Sequence, residues 1–223
     1  PMTERGASIA ERAGLHIIKI GASPYFDLPH WDPRGDIAKH LRSSVNRARR
    51  AGLVVQRVET LHQDRDCAHL CQQWLASRPA GKAFGWLFAL HPHHQAATKR
   101  FFVARDGQGR MAGLLAASPI PARNGWYLED VIRDPAAPQG VCDLLVFEAL
   151  CALREQGAAT ATLGTALFAQ DGADVSAARH HWPRTRPALQ MARRQLCGFY
   201  NFDGLRNFKN KFVPTRWEGE YAA

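Results

Sequence analysis

The pattern of apolar positions is clearest between Trp126 and Gly157, where it predicts a strand, a turn and a helix in succession. Before the turn, GWYLEDVIR favours a strand and carries acidic and basic side chains. After the turn, apolar residues recur mostly at helical spacing: Val141, Leu144, Leu145, Phe147, Ala149, Leu150, Cys151 and Leu153. The sequence ATATLGTALF then alternates as a strand does. The resulting βαβ-type unit has a helix N-terminus, which suits an anionic ligand.

The patterns on either side of this unit predict further elements. Two apolar runs joined across Asp106–Gly109 predict a hairpin over 101–120. Upstream, we predict the end of a helix before Gly14, a strand over 15–20, and a loop over 21–35 with a short extended piece at 25–28. A strand is predicted at 53–60, a helix at 66–77 and a pocket-lining loop at 80–95. A long polar connection at 170–187, a short helix at 188–196 and an aromatic, cationic tail complete the chain.

Residues 36–52 predict an amphipathic helix that Asp36 caps and Gly52 ends. Its apolar stripe consists of Ile37, Leu41, Val45 and Ala48, and its opposite face consists of Lys39, Arg42, Asn46, Arg49 and Arg50. This cationic face is either a solvated surface or an anion-binding surface. Few acidic residues are available for i,i+4 pairing, and like charges without a counter-charge cost stability. We therefore give the two alternatives equal weight.

Composition and charge change this picture mainly by suggesting a polyanionic partner. The 223 residues, with 46% hydrophobic and 22% charged, are typical of one globular domain or of one compact domain with an appendage. No apolar run is long enough to cross a bilayer and the N-terminus is not a signal peptide, so we expect a soluble, cytoplasmic domain. The net charge of +9 is concentrated in residues 34–57 and 179–223. Two basic regions around a mildly acidic middle favour RNA or an anionic membrane surface as partner.

The cysteines and histidines do not predict a metal site. Five cysteines lie at positions 67, 71, 142, 151 and 197, and none forms a CxxC pair, which is typical of free thiols in a reducing compartment. Cys67 and Cys71 share a helix face, but His62 and His69 do not complete a standard zinc spacing. The cluster of His91, His93 and His94 also lacks a ligand pattern.

Two resemblances follow from the order of elements and from short motifs. From Phe101 onward, the hairpin, strand, turn, helix and strand resemble an acetyltransferase fold of the GNAT type, although the turn 133–140 lacks the acyl-CoA signature Q/R-x-x-G-x-G/A. Across nearly the whole chain, the motifs resemble the C-terminal domain of the phosphatidylglycerol lysyltransferases (multiple peptide resistance factor family, DUF2156). These motifs are FDL at 26–28, RxxxNRARxxGL at 42–53, EDxxRxxxAPxGVxDxL at 129–145, LG at 163–164 and FYxFxGLRxFKxKFxPxxWxxxY at 199–221.

The resemblance implies an α/β (α+β) GNAT-like fold, with a central mixed, mostly antiparallel sheet flanked by helices. It implies a remnant of a preceding GNAT-like half or a lead-in at 1–20, and an aminoacyltransferase domain at 21–223. The implied reaction moves an amino acid from aminoacyl-tRNA to a hydroxyl of phosphatidylglycerol at the inner face of the membrane, with no cofactor and without CoA. The alternatives are an acyl-CoA-dependent N-acetyltransferase and a non-catalytic module that binds RNA or a membrane surface.

The resemblance also implies roles for particular residues. Asp130 and Arg133 are the expected catalytic pair, for proton transfer and charge stabilisation. In a regular strand these two positions face opposite ways, so we predict a bulge or a strand end near Val131. Glu129 is the rival carboxylate, and a surface ion pair is the structural alternative for Asp130 and Arg133. Further expected substrate contacts are Glu129, Gly140, Arg206, Lys209 and Lys211. Independently of the resemblance, the cationic face of the helix at 36–52 gives Lys39, Arg42, Arg49 and Arg50 as expected nucleic-acid or anion contacts.

Overall fold

The structure, a computed structural model, describes residues 2–59, 61, 65–78, 90, 94–167 and 201–223. The chain divides into two compact units, a larger unit of residues 27–162 and 211–213 and a smaller unit of residues 1–26, 163–210 and 214–223. The predicted loop at 80–95 lies largely outside the described residues, with His91 and His93. The polar connection at 170–187, the helix at 188–196 and Cys197 lie outside them as well.

The described helices and strands follow the predicted order closely. The helices are α1 (Glu4–Arg12), α2 (Lys39–Arg50), α3 (Arg65–Ala76), α4 (Val141–Glu155) and α5 (Phe202–Asn210). The strands are β1 (Ile18–Asp27), β2 (Val54–Val58), β3 (Arg100–Arg105), β4 (Met111–Ile120), β5 (Gly125–Arg133), β6 (Thr160–Thr162), β7 (Ala166–Leu167) and β8 (Arg216–Ala222). No helix in the described ranges is long and apolar enough to span a bilayer.

In the larger unit, strands lie in the order β2-β3-β4-β5-β6, and every pair is antiparallel except β5–β6. One face of this sheet packs against α3 through a cluster that includes Leu70, Phe101 and Ile132. Gly113 of β4 allows α4 to approach closely, because a Cβ atom there would lie 2.7 Å from Cγ1 of Val141. The predicted mixed, mostly antiparallel α/β fold is confirmed.

In the smaller unit, β1 pairs antiparallel with both β7 and β8. Ala7 of α1 packs with Ile17 and Tyr221 in a small buried cluster. The backbone of Met2 exchanges two hydrogen bonds with that of Tyr221, at 2.8 and 2.9 Å. The predicted boundary after residue 20 falls within β1, and the assignment of 1–20 and 21–223 as separate domains stays a prediction.

The start of α2 differs from its prediction. Asp36 does not cap α2, because residues Asp36–Ala38 form a 3-10 turn and no side-chain hydrogen bond caps either element. Because a 3-10 turn is tighter than an α-helix, Ile37 does not line up with the apolar stripe. Ile37 is 75% exposed, whereas Leu41, Val45 and Ala48 are buried. The predicted end of the helix at Gly52 is confirmed, with Gly52 in the left-handed conformation at φ 81°.

Two predicted strand boundaries are also wrong. The loop predicted at 21–35 begins too early, because β1 continues to Asp27 and includes Pro24, which pairs in register with Trp217. A proline interrupts a strand only where its missing N–H is needed for a ladder hydrogen bond. The single strand predicted over 159–168 is divided into β6 and β7, with Gly164 between them at φ 70°.

Candidate active site

A bulge in β5 brings Asp130 out of the regular strand pattern. Glu129 pairs with Ala116 and Ile132 with Leu114, so two residues of β5 oppose one residue of β4. Asp130 has φ 40°, in the left-handed region that aspartate tolerates better than most residues. The extra residue removes the strict alternation that would set positions 130 and 133 on opposite faces. The predicted bulge is confirmed, and the catalytic roles of Asp130 and Arg133 stay predictions.

Glu129, the rival carboxylate, is held in a polar network of the larger unit. Nζ of Lys99 lies 2.7 Å from Oε1 of Glu129, and only 7% of the Lys99 side chain is exposed. Oγ of Ser118 donates a hydrogen bond of 2.6 Å to the same oxygen. An ion pair and a hydrogen bond together fix the position of this carboxylate oxygen. The role of Asp130 as base and that of Glu129 as its rival stay predictions.

Arg133 fixes the turn between β5 and α4. Its Nη1 donates to the carbonyl oxygen of Asp134 at 3.0 Å and to that of Pro135 at 3.1 Å. Asp134 in turn accepts a hydrogen bond of 2.8 Å from the backbone N–H of Ala136. These contacts leave Nε and Nη2 of Arg133 available for a ligand, since neither donates to a described residue.

The N-terminus of α4 is electropositive. The first N–H groups of a helix have no partner within it and carry the positive end of its dipole. Burial raises the pKa of Cys142 to about 11. The charge of Arg133 acts against that rise, the charge of Asp143 adds to it, and the charges of Arg78 and Lys211 act against it. Cys142 is thus a protonated thiol at neutral pH, in a region where three cations are near.

Gly140 permits the approach of α2 to this turn. It is the residue before α4, with φ 96°, and a Cβ atom there would lie 2.6 Å from the carbonyl oxygen of Ser44. Only glycine meets both conditions, the left-handed conformation and the close contact. The structure therefore gives Gly140 a packing role, and its predicted contact with substrate stays a prediction.

The tail cations of the sequence motif have different surroundings. In the larger unit, Nζ of Lys211 forms a 2.8 Å ion pair with Asp143 in the first turn of α4. In the smaller unit, the guanidinium of Arg206 lies over the ring of Trp217, 5.9 Å from its centroid, and its Nε is buried with no hydrogen-bond partner among the described residues. Lys209 is buried, and its Nζ donates to the carbonyl oxygens of Gly164 at 2.7 Å and Thr165 at 2.9 Å. Their predicted phosphate contacts stay predictions.

The burial of Lys209 leads to a prediction about pH. Burial lowers the pKa of Lys209 to about 7 from the ordinary 10.5. Between these values the unfolded chain binds a proton that the folded chain does not, so the free energy of unfolding should rise with pH by up to about 1.4 kcal/mol per unit. In Lys209→Met, urea unfolding from pH 7 to 10 should lack this rise. The exposed Lys39→Met should keep the wild-type slope, and equal slopes in all three proteins would contradict the prediction.

The cations of α2 are only partly neutralised. Arg49 forms a 2.7 Å ion pair with Glu148 and lies over the ring of Phe147. Nη1 of Arg42 donates to the carbonyl oxygen of Gly35 at 2.6 Å, and Nε of Arg50 donates to that of Asn46 at 3.3 Å. The contacts with backbone carbonyls hold the side chains of Arg42 and Arg50 but leave their positive charges in place. The charge of Arg49 is neutralised by Glu148.

Comparison with known proteins identifies the family. A family model described as "Phosphatidylglycerol lysyltransferase, C-terminal" matches residues 1–223. The chain belongs to this family. The phosphatidylglycerol lysyltransferase of Bacillus subtilis (strain 168) is 25% identical over 220 residues, which cover 94% of this chain and 24% of the relative. The chain therefore spans about a quarter of that curated member of the phosphatidylglycerol lysyltransferase family.

Two solved structures of the same kind share the fold. L-PGS from Bacillus licheniformis superposes with a TM-score of 0.72 at 19% identity, covering 98% of this chain and 65% of that one. The C-terminal domain (DUF2156) of a lysylphosphatidylglycerol synthetase homologue from Agrobacterium fabrum gives a TM-score of 0.72 at 24% identity, covering 98% and 64%. The predicted membership of the phosphatidylglycerol lysyltransferase family is confirmed.

Several residues of this region were not predicted from sequence. Lys99 and Ser118, which hold Glu129, are brought to it by the register of β4 and β5 and by the approach of the segment before β3. Asp143, the partner of Lys211, is 68 positions away in sequence. Asp143 belongs to the motif EDxxRxxxAPxGVxDxL at 129–145. The motif therefore indicated that Asp143 is important, but it did not indicate its partner. In the described ranges, no group of three or more metal-ligating side chains is present.

Proposed function

We propose that this chain transfers an amino acid from aminoacyl-tRNA to a hydroxyl of phosphatidylglycerol at the inner face of the membrane. The family match over residues 1–223 is the observation that carries the proposal. The bulge at Asp130 and the cations around the N-terminus of α4 supply residues with suitable chemistry. The chain covers only 24% of the curated relative, so its own activity needs a direct test.

The proposed reaction is an ester exchange. The acceptor hydroxyl loses a proton to Asp130 as its oxygen forms a bond to the aminoacyl carbonyl carbon. The tetrahedral intermediate carries a negative charge on the former carbonyl oxygen, which N–H groups of Arg133 are suited to stabilise. The bond to the ribose oxygen of the tRNA then breaks, and that oxygen takes the proton back from Asp130. The exchange changes no oxidation state, and we assign it no cofactor.

Asp130 is preferred over Glu129 as the base on physical grounds. The ion pair with Lys99 and the hydrogen bond from Ser118 both occupy Oε1 of Glu129 and fix its orientation. We therefore assign Glu129 to positioning: it holds Lys99 and the adjacent β5 backbone from which Asp130 projects.

Phosphate groups of the substrates are proposed to bind near the N-terminus of α4. The positive charges of Arg133, Arg78 and Lys211 act on Cys142 at that end of the helix. The N–H groups of the first turn, which have no partner within the helix, also favour an anion there. Asp143 offsets one of these cations through its ion pair with Lys211. In the smaller unit, Arg206 stacked on Trp217 is a second candidate contact for a phosphate.

The test is a transfer assay with the purified chain. Radiolabelled lysyl-tRNA and alanyl-tRNA are incubated separately with phosphatidylglycerol vesicles, and lipid extracts are examined for an aminoacyl lipid. We expect a labelled lipid from at least one donor and protection of the tRNA acceptor end from nuclease. Absence of both product and protection would overturn the proposal. A thermal shift with CoA at micromolar concentration would instead favour an acyl-CoA-dependent transferase.

A further inference from the structure

We propose that one exposed face of α2, together with the turn before it, docks the larger unit on the surface of an anionic bilayer. We call this surface the α2 face and define it as Ile37, Lys39, Arg42, Arg47 and Arg50. The inference rests on the proposed function in one respect: the acceptor is a lipid, so the chain must reach a bilayer. The choice of the α2 face rests on the charges and exposure of these residues.

The first observation is uncompensated charge. Arg47 donates to the neutral amide oxygen of Gln139 at 2.8 Å, and Arg42 and Arg50 donate to backbone carbonyl oxygens. Within the described ranges, no carboxylate pairs with these three arginines or with Lys39, although Arg34 and Arg49 do have such partners. Four cations on one short helix therefore lack a counter-charge. An anionic partner would supply it.

The second observation is the exposure of Ile37. Its side chain is 75% exposed, more than Val54 at 59% or Ile9 at 52%. It lies in the 3-10 turn directly before Lys39, so an apolar side chain stands at one end of a row of cations. Single exposed apolar residues are common on protein surfaces and need no explanation alone. An apolar side chain beside uncompensated cations is the combination found on segments that lie in the membrane interface.

The same two observations decide between a bilayer and RNA. Cations alone suit either partner, because both present closely spaced phosphates. A branched aliphatic side chain gains from transfer into the acyl boundary of a bilayer, but it has no comparable contact on a phosphate backbone. Asp36 beside Ile37 weakens the attraction to either partner equally. The α2 face therefore fits an anionic lipid surface better than RNA.

The geometry of the helix also suits a flat partner. The buried stripe of Leu41, Val45 and Ala48 faces the core of the larger unit, so the opposite side of α2 is turned outward. Twelve residues form a helix about 18 Å long. Lys39 and Arg50 are near its two ends, so cations along the entire length can meet lipid headgroups together.

The test is co-sedimentation of the purified chain with vesicles of phosphatidylcholine alone, with phosphatidylglycerol added, or with phosphatidylserine added. Binding should require either anionic lipid and weaken with salt. Ile37→Asp should lower vesicle affinity about tenfold, and Lys39→Glu/Arg50→Glu should lower it at least about tenfold. The matched controls are Ile9→Asp and Arg5→Glu/Arg12→Glu on α1, whose exposed residues receive the same changes of charge. These control variants should lose much less vesicle affinity than the α2 variants.

Several results would overturn the inference. Equal losses in the α1 controls would show an effect of net charge only, and unchanged binding in both α2 variants would exclude the α2 face. Weaker tRNA retention on filters, with vesicle binding intact, would assign the α2 face to RNA. Binding is measured without aminoacyl-tRNA. A chain that binds both anionic vesicles but neither transfers an amino acid nor protects the tRNA would therefore contradict the proposed function and leave this inference standing.

Discussion

Asp130→Asn is expected to slow aminoacyl transfer by a factor of about 10² to 10⁴, the usual contribution of a general base. The amide cannot accept the proton of the acceptor hydroxyl, and the remaining contacts with both substrates are retained. The measurement is the single-turnover rate of labelled lipid formation with saturating aminoacyl-tRNA. Binding of the tRNA should change little, which separates a chemical role from a binding role.

Asparagine is the informative substitution at this position. Asp130 has φ 40°, and asparagine tolerates the left-handed region as aspartate does, whereas alanine would add backbone strain to the loss of the carboxylate. Glu155→Gln, at the exposed C-terminal end of α4, is the control for removal of a carboxylate and should leave the rate unchanged. Unchanged transfer in Asp130→Asn would contradict the assignment of Asp130 as the general base.

Gly140→Ala is expected to lower the free energy of unfolding by about 2 to 4 kcal/mol. The alanine would have to adopt a left-handed conformation, and its Cβ would meet the carbonyl oxygen of Ser44 at 2.6 Å. The contact with Ser44 would force the turn before α4 away from α2. Urea unfolding followed by tryptophan fluorescence measures the loss.

Gly157→Ala separates the two causes. Gly157 also has a positive φ, 78°, but a Cβ atom there would have no neighbour within 4 Å. Its substitution should cost only the backbone strain, about 1 to 2 kcal/mol. Losses of equal size at the two glycines would show that the contact between Ser44 and Gly140 is less tight than the structure indicates.

Local patterns predicted the elements whose own residues determine them. The helix at 141–155 follows from its apolar spacing and from glycines at both ends, and the hairpin follows from the turn at Asp106–Gly109. The bulge was predicted from the family resemblance, which implies two functional side chains three positions apart in one strand. For the helix and the hairpin, the decisive signal lies within about fifteen residues of sequence.

Local patterns do not specify the features that packing and strand register decide. Asp36 is a good capping residue, yet the chain enters α2 through a 3-10 turn and leaves Ile37 exposed. Glu129 and Lys99 meet because of strand register, which no short window specifies. Lys209 belongs to a cationic motif but is buried against two backbone carbonyls. Its surroundings depend on how α5 docks on the strand connection around Gly164.

The backbone exchange between Met2 and Tyr221 has a practical consequence for labelling. Because these residues bond to each other at both N–H groups, the first and last few residues are held at the same place on the smaller unit. A fluorophore at one end and a quencher at the other would be nearly in contact in the folded chain and far apart after unfolding. Such a pair would report the opening of β8 from the segment before α1, separately from the tryptophan signal of the whole chain.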